Sequence, residues 1–136
     1  MRPDSIRKFD LFYIAAIMIG IASALMNYDA QHEAVATQLA ASGLESYADA
    51  TLLGTLAVVY LVQLGLWFFA SRLRMGWAAW VIAILVAFSA ATTLLTLVQG
   101  GLSFSISGLV TLLLKLIAVW HLFRPDSRAW LKAVPQ

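Results

Sequence analysis

The chain has 136 residues, of which 62% are hydrophobic and only 12% are charged, with nine Lys and Arg against seven Asp and Glu. A soluble domain of this length cannot bury so much apolar surface, because small folds keep a large fraction of their area in water. The composition therefore excludes a soluble globular protein, a disordered chain and a collagen-like fibre, and it indicates an integral membrane protein.

The same composition also excludes several kinds of partner and site. The net charge of +2 and the lack of a long basic tract argue against a nucleic-acid partner. The absence of Cys excludes disulfides, thiolate nucleophiles and Cys-ligated zinc. No nucleophile stands beside a base and no glycine-rich phosphate loop occurs, so we expect a non-enzymatic protein without a cofactor or a metal.

Four apolar runs are each close to the roughly 20 residues that cross a bilayer as a helix. No alternation of period two suggests strands, and open strands are excluded in lipid because their backbone groups are unpaired. Short links at 71–75 and 99–103 make the last three spans antiparallel neighbours. We predict one all-α membrane domain over 1–136, an antiparallel four-helix transmembrane bundle with spans at residues 9–27, 51–70, 76–98 and 104–123.

The first loop, residues 28–50, is long enough to hold structure of its own. Asp29 begins a stretch typical of a capped helix, which continues through alanines to Ala41 and stops at Gly43. We predict a short external helix there. Four loop residues are able in principle to bind a cation, but their spacing matches no known ligand set, so a solvated acidic loop is preferred: His32, Glu33, Glu45 and Asp49.

The cationic residues predict the orientation. The loop at 28–50 has four acidic residues and no Lys or Arg, whereas eight of the nine cationic residues lie on the opposite side: Arg2, Arg7, Lys8, Arg72, Arg74, Arg124, Arg128 and Lys132. By the positive-inside rule both termini are cytoplasmic. The five Trp residues lie near the same boundary, where their rings suit the headgroup layer, with ligand stacking as the alternative: Trp67, Trp77, Trp80, Trp120 and Trp130.

The sequence Arg-Pro-Asp-Ser occurs twice, at 2–5 and at 124–127. Pro restricts the residue before it, and Asp and Ser cap helices. The first copy is therefore expected to open the first helix. The second is expected to end the fourth helix and to start a short helix at 128–134, lying on the membrane surface within a cytoplasmic tail at 124–136.

The two ends of the sequence contain motifs that resemble those of other membrane proteins. Arg2-Pro3-Asp4-Ser5 precedes Phe9-Asp10-Leu11-Phe12-Tyr13, and the C-terminal part reads Leu122-Phe123-Arg124-Pro125-Asp126-Ser127-Arg128-Ala129-Trp130. In these motifs and in its number of spans, though not in its middle, the chain resembles a set of small bacterial four-span inner-membrane proteins. The resemblance implies a multi-pass protein of a bacterial inner membrane, and it implies no activity, cofactor or site residue.

Small residues recur every fourth position in two spans, which lets helix backbones approach closely in lipid. The stripes are Ala16, Gly20 and Ala24 in the first span and Ala79, Ala83, Ala87 and Ala91 in the third. Packing within the bundle is the favoured interpretation. Contact with a protein partner or with a second copy of the chain is the alternative.

Lys115 is the unusual residue within the spans. It precedes Arg124 by nine residues and so lies about 13 Å deeper along a helix. A cation near the midplane costs at least about 2.5 kcal/mol and is usually paired or functional. Its helical neighbours Gly108 and Thr111 form a small, slightly polar face. We predict a polar cluster that joins Lys115 to Gln63 and Tyr13 and extends to Asp10.

Three roles stay open for Lys115: a structural polar tie, a side chain that snorkels to lipid headgroups, and a transport or ligand site. His121 is interpreted as an interfacial residue, with a pigment or haem ligand as the alternative.

The favoured hypothesis is an accessory or structural subunit that packs against a larger membrane complex or against itself. The alternative is a small oligomeric transporter or channel that uses Lys115 for an anionic or polar solute. A membrane enzyme ranks below both.

Overall fold

The structure is a computed structural model that describes residues 1–100 and 106–133. Every regular element among these residues is helical, which confirms the predicted all-α class. The elements are α1 (Asp4–Met26), α2 (Tyr28–Ala40), a 3-10 turn (Glu45–Tyr47), α3 (Ala48–Ser71), α4 (Gly76–Val98), α5 (Ile106–Leu122) and α6 (Pro125–Lys132).

Among the described residues, three helices are long and apolar enough to cross a membrane: α1, α4, and α3 taken together with the 3-10 turn before it. A fourth crossing is possible if α5 and α6, which are bent by 65° at their junction, count as one span. By length and composition the chain is therefore a helical, multi-pass membrane protein.

The bounds of the predicted spans lie close to those of these helices. Span 9–27 ends one residue beyond α1, span 51–70 lies inside α3, and span 76–98 has the bounds of α4. Residues 104 and 105 of the last predicted span lie outside the described residues, and the rest of that span follows α5 to within one residue of its end.

The two short helices begin earlier than predicted. In the first loop α2 follows α1 after Asn27 alone, so Asp29 lies in its first turn, where a carboxylate favours the helix dipole. Gly43 adopts φ 69° just after the helix, as a stop residue requires. The tail helix α6 begins at Pro125 because proline fits the first helical position, and residue 134 of the predicted helix lies outside the described residues.

Packing is dense at the end of the molecule where α1 begins and α5 ends. α1 packs along α5 with the opposite chain direction, since Ser5 contacts Ser127 and Ser23 contacts Ser107, and α3 contacts α1, α2 and α4. The largest fully buried apolar side chains are Phe9, Ile6, Ile17, Ile82 and Leu122. Large apolar side chains on the outer faces of α3 and α4 stay exposed, which suits contact with lipid rather than water.

The two small-residue stripes are used differently inside the chain. In α1, Ala16 and Ala24 are buried, and a Cβ built on Gly20 would lie 2.9 Å from the Tyr60 hydroxyl oxygen. In α4 the stripe is buried only at its start, because Ala87 and Ala91 are exposed. The buried face of α4 consists instead of Ala78, Ala79, Ile82 and Val86.

Candidate functional site

Two cavities meet at Lys115. The first, which we call the polar cavity, has a volume of about 460 Å³ and is lined by six hydroxyl-bearing residues together with Gln31 and Lys115; the six are Ser23, Tyr60, Ser89, Thr93, Ser107 and Thr111. The second, which we call the apolar cavity, has a volume of about 350 Å³. Its walls are Val58, Val59, Val62, Ile82, Leu85 and Val86, and its polar residues are Tyr13, Gln63, Ser89 and Lys115.

Helix periodicity builds one wall of the polar cavity. Ser107, Thr111 and Lys115 recur every four residues on α5 and therefore share one face. The Thr111 hydroxyl donates to the Ser107 carbonyl at 2.7 Å, and the Ser107 and Ser23 hydroxyl oxygens are 2.9 Å apart. Since Ser107 and Lys115 are eight residues apart, the wall extends about 12 Å along the helix.

The polar cavity reaches α2, which is held beside the start of α3. The Tyr28 hydroxyl donates to Asp49 Oδ1 at 2.7 Å, and His32 Nε2 lies 3.2 Å from the same oxygen. The hydrogen bond to Asp49 raises the pKa of the Tyr28 hydroxyl, and burial and the nearby carboxylates add to the rise. These contacts place α2, and with it Gln31, against the polar cavity.

Lys115 has no partner within the described part of the chain. The ion pairs there are Arg2–Asp10, Arg7–Asp4 and His32–Asp49, and no hydrogen bond joins the Lys115 ammonium to a described residue. The side chain is half-buried and borders both cavities. Its charge is therefore compensated by no carboxylate among the described residues.

The structure brings three of the four predicted cluster residues together around one space. Tyr13, Gln63 and Lys115 all line the apolar cavity. The buried Gln63 Oε1 atom accepts no hydrogen bond in the described structure, so the three side chains share a cavity without being joined to one another.

Asp10 lies in a different group. Its Oδ2 atom accepts a hydrogen bond from Arg2 at 2.8 Å, and its Oδ1 atom accepts one from Trp67 Nε1 at 2.8 Å. Arg2 also lies 3.4 Å from the buried Ser71 hydroxyl. The carboxylate therefore ties the start of the chain to the end of α3, and it compensates the charge of Arg2.

His121 is buried between aromatic rings. Its ring is parallel to Phe12 at 5.7 Å and meets Trp120 edge-on at 4.8 Å. Its Nδ1 atom is buried without a hydrogen-bond partner in the described structure. His32, on α2, contacts Asp49 on α3 and lies far along the chain from His121. Among the described residues, no group of three His, Cys, Asp or Glu side chains is placed to hold a metal.

The two Arg-Pro-Asp-Ser copies meet in space, in a group that we call the terminal junction: Ser5, Asp126, Ser127 and the His121 carbonyl. The Ser5 hydroxyl donates to the Asp126 carboxylate, and the Ser5 and Ser127 hydroxyl oxygens are 2.5 Å apart. The Ser127 hydroxyl donates to the His121 carbonyl at 2.8 Å. The bond from Ser5 lowers the pKa of the Asp126 carboxyl.

Three arginines lie over tryptophan rings near the terminal junction. Arg72 lies 5.6 Å from the Trp67 ring centre, Arg74 lies 4.7 Å from that of Trp130, and Arg124 lies 5.2 Å from that of Trp120. Arg74 adopts φ 56° in the turn between α3 and α4, which is unusual for a residue other than glycine. Each guanidinium group is attracted to the face of the ring beside it, and this attraction helps to hold Trp67, Trp120 and Trp130 in position.

The hydroxyl-lined wall and the apolar cavity were not predicted from the sequence. A signal was present, because Ser89 and Thr93 on α4 and Ser107 and Thr111 on α5 recur at the four-residue helical spacing. Comparisons with models of protein families, with curated proteins and with solved structures found no match to this chain.

Proposed function

We propose that the protein is a non-enzymatic membrane protein that binds a small anionic solute at Lys115. The observation that carries the proposal is the position of Lys115 between two cavities with no carboxylate partner among the described residues. Transport of the bound solute would be the corresponding activity.

Placing an ammonium group inside a membrane costs free energy. An unpaired cation there is unfavourable by at least about 2.5 kcal/mol, and such residues commonly mark solute or ion pathways. A bound carboxylate or phosphate would supply the missing charge through a charge-assisted hydrogen bond. Water in the polar cavity would solvate the ammonium when no solute is bound.

The proposal includes the arrangement in the membrane. Four antiparallel helices cross a bacterial inner membrane with both termini in the cytoplasm and with α2 on the external surface. The eight cationic residues outside the spans support this orientation. The solute would then enter the polar cavity from the α2 side, because the packed core around Phe9 and Leu122 closes the other end.

The test measures anion binding to the protein in lipid nanodiscs. Acetate, benzoate, sulfate and inorganic phosphate are titrated, and binding is followed by calorimetry. We expect at least one of these anions to bind the native chain and Lys132→Gln, a control that removes an exposed cation, and to bind Lys115→Gln at least tenfold more weakly. Equal binding by the two variants, or no binding by the native chain, would refute the proposal.

A second candidate function is a subunit that packs against a partner protein or another copy of itself. The observation that favours it is the exposure of Ala87 and Ala91 at the far end of the α4 stripe. Native mass spectrometry in mild detergent tests this candidate. A complex that Ala87→Leu dissociates is expected, and a monomer under all native conditions would exclude it.

A further inference from the structure

The apolar cavity has the character of a ligand site with one polar end. Its volume of about 350 Å³ lies within the range of small-molecule sites, which are mostly apolar with a few polar groups that fix orientation. Six aliphatic side chains from α3 and α4 form its walls. Ile82 and Val86 are buried, whereas the other four are 44–61% exposed, so the cavity opens toward the lipid-facing surface; the four are Val58, Val59, Val62 and Leu85. Lys115 borders this cavity as well as the polar cavity, so a single ammonium group serves both spaces.

Three further polar residues line the apolar cavity: Tyr13, Gln63 and Ser89. Gln63 presents a buried Oε1 atom that no described residue satisfies. Tyr13, which is only 3% exposed, also lines the space. A buried polar group without a partner is costly, so a ligand that donates a hydrogen bond to Gln63 Oε1 gains more than one that meets only aliphatic walls.

We propose that the solute is an amphipathic monocarboxylic acid whose carboxylate binds Lys115 and whose apolar body fills the apolar cavity. This inference rests on the proposed function, because it assumes that an anion binds at Lys115. A phenyl ring or an alkyl chain of a few carbons is the kind of body that the aliphatic walls would bind.

The walls disfavour the other classes of anion. Sulfate or phosphate at Lys115 leaves the apolar cavity without a ligand, so such an anion gains nothing from burial of apolar surface. A dicarboxylate would have to place its second charge against valine and isoleucine side chains, where it loses its hydration. A monocarboxylate with an apolar body has no second charge to remove from water, and it gains affinity because its apolar body is buried.

The experiment compares acetate, butyrate and hexanoate, with hexanamide as the uncharged control, in nanodiscs of one lipid composition. Each methylene that enters the cavity is expected to tighten binding by about fourfold. The variant Val62→Phe fills the apolar cavity, and Val110→Phe is its control, since Val110 has similar exposure and lines neither cavity.

We expect affinity for the native chain and for Val110→Phe to rise from acetate to hexanoate, and hexanamide to bind at least tenfold more weakly than hexanoate. Val62→Phe is expected to bind acetate as before and to lose the gain with chain length. Acetate binding without any dependence on chain length in the native chain would overturn the inference and leave the proposed function standing. Absence of all anion binding would remove the proposed function itself. The native series decides the inference even if Val62→Phe does not fold.

Discussion

Removal of the Ser127 hydroxyl tests whether the terminal junction fastens the two ends of the chain. Ser127 is fully buried, and its hydroxyl donates to the His121 carbonyl at 2.8 Å and lies 2.5 Å from the Ser5 hydroxyl. The variant Ser127→Ala keeps the volume of the side chain nearly unchanged. It therefore removes hydrogen bonds without opening a cavity.

The expected magnitude follows from the partners left behind. The His121 carbonyl would keep only the Arg124 amide at 3.4 Å, which is long for a hydrogen bond. A lost hydrogen bond costs about 1 kcal/mol, and a buried group left unsatisfied costs about 1–3 kcal/mol. We expect Ser127→Ala to lower the free energy of unfolding by about 1–3 kcal/mol. Ser5→Ala should cost about 0.5–1.5 kcal/mol, because the exposed Asp126 carboxylate can bind water instead.

The assay is reversible unfolding in mixed micelles, followed by circular dichroism, for both single variants and the double variant. Since the two hydroxyls contact each other, the double variant should lose about 0.5–1.5 kcal/mol less than the sum of the single losses. Ser89→Ala, at an exposed serine within α4, is the control and should change stability by at most about 0.5 kcal/mol. Additive losses, or a loss for Ser127→Ala no larger than that of the control, would refute the reasoning.

Three other predictions concern groups outside the cavities. The hydrogen bond from Ser5 is the main reason why the pKa of the Asp126 carboxyl is lowered from 3.8. The carboxylate therefore stabilises the folded state above pH 3.8, and this stabilisation is lost as the pH falls through the lower pKa of the folded state. Acid denaturation should therefore begin at a higher pH in Ser5→Ala than in the native chain. Trp67→Phe removes the donor to Asp10 and should lower the free energy of unfolding by about 1–2 kcal/mol in the micelle assay. Asp49→Asn weakens the tie between α2 and α3, so amide exchange in α2 should accelerate about two- to fivefold by mass spectrometry.

Each of these predictions has a matched control. Asp126→Asn should remove the acid dependence assigned to that carboxyl, and an unchanged acid profile would contradict the assignment. Trp77→Phe changes an exposed tryptophan with no carboxylate acceptor among the described residues, and an equal loss in both Trp variants would show that ring size, not the hydrogen bond, matters. Glu33→Gln lies on the exposed side of α2, and equal acceleration by that variant would show a general charge effect.

Long apolar runs made the helices predictable from the sequence. The run at 76–98 has the bounds of α4, because a short link that contains Arg72 and Arg74 precedes it and Gln99 followed by a Gly-Gly pair ends it. The short helix in the first loop was predictable from its alanines and from Gly43. Its first residue differs by one from the prediction, because α1 ends at Met26 and α2 begins at Tyr28 rather than at Asp29.

The site was predictable only in part. Depth along each helix grouped Tyr13, Gln63 and Lys115, and all three line the apolar cavity. It did not predict that Asp10 would bind Arg2 and Trp67, because that choice depends on how the first three residues fold against α3. Cavities arise where neighbouring helices diverge, and helix crossing geometry is not encoded in the spacing of residues along one helix.

The pairing of α1 with α5 governs how the protein can be assembled as it is made. α1 ends at Met26 and α5 ends at Leu122, so the ribosome must add about 96 residues before the first helix meets the whole of its main neighbour. At translation rates of about 5–20 residues per second this interval lasts about 5–20 s. During this interval, the face of α1 that α5 later covers must instead contact lipid, the insertion machinery or α3. The packing of α1 is thus completed only when α5 has been made, and a chain stalled before α5 would leave α1 without its main packing partner.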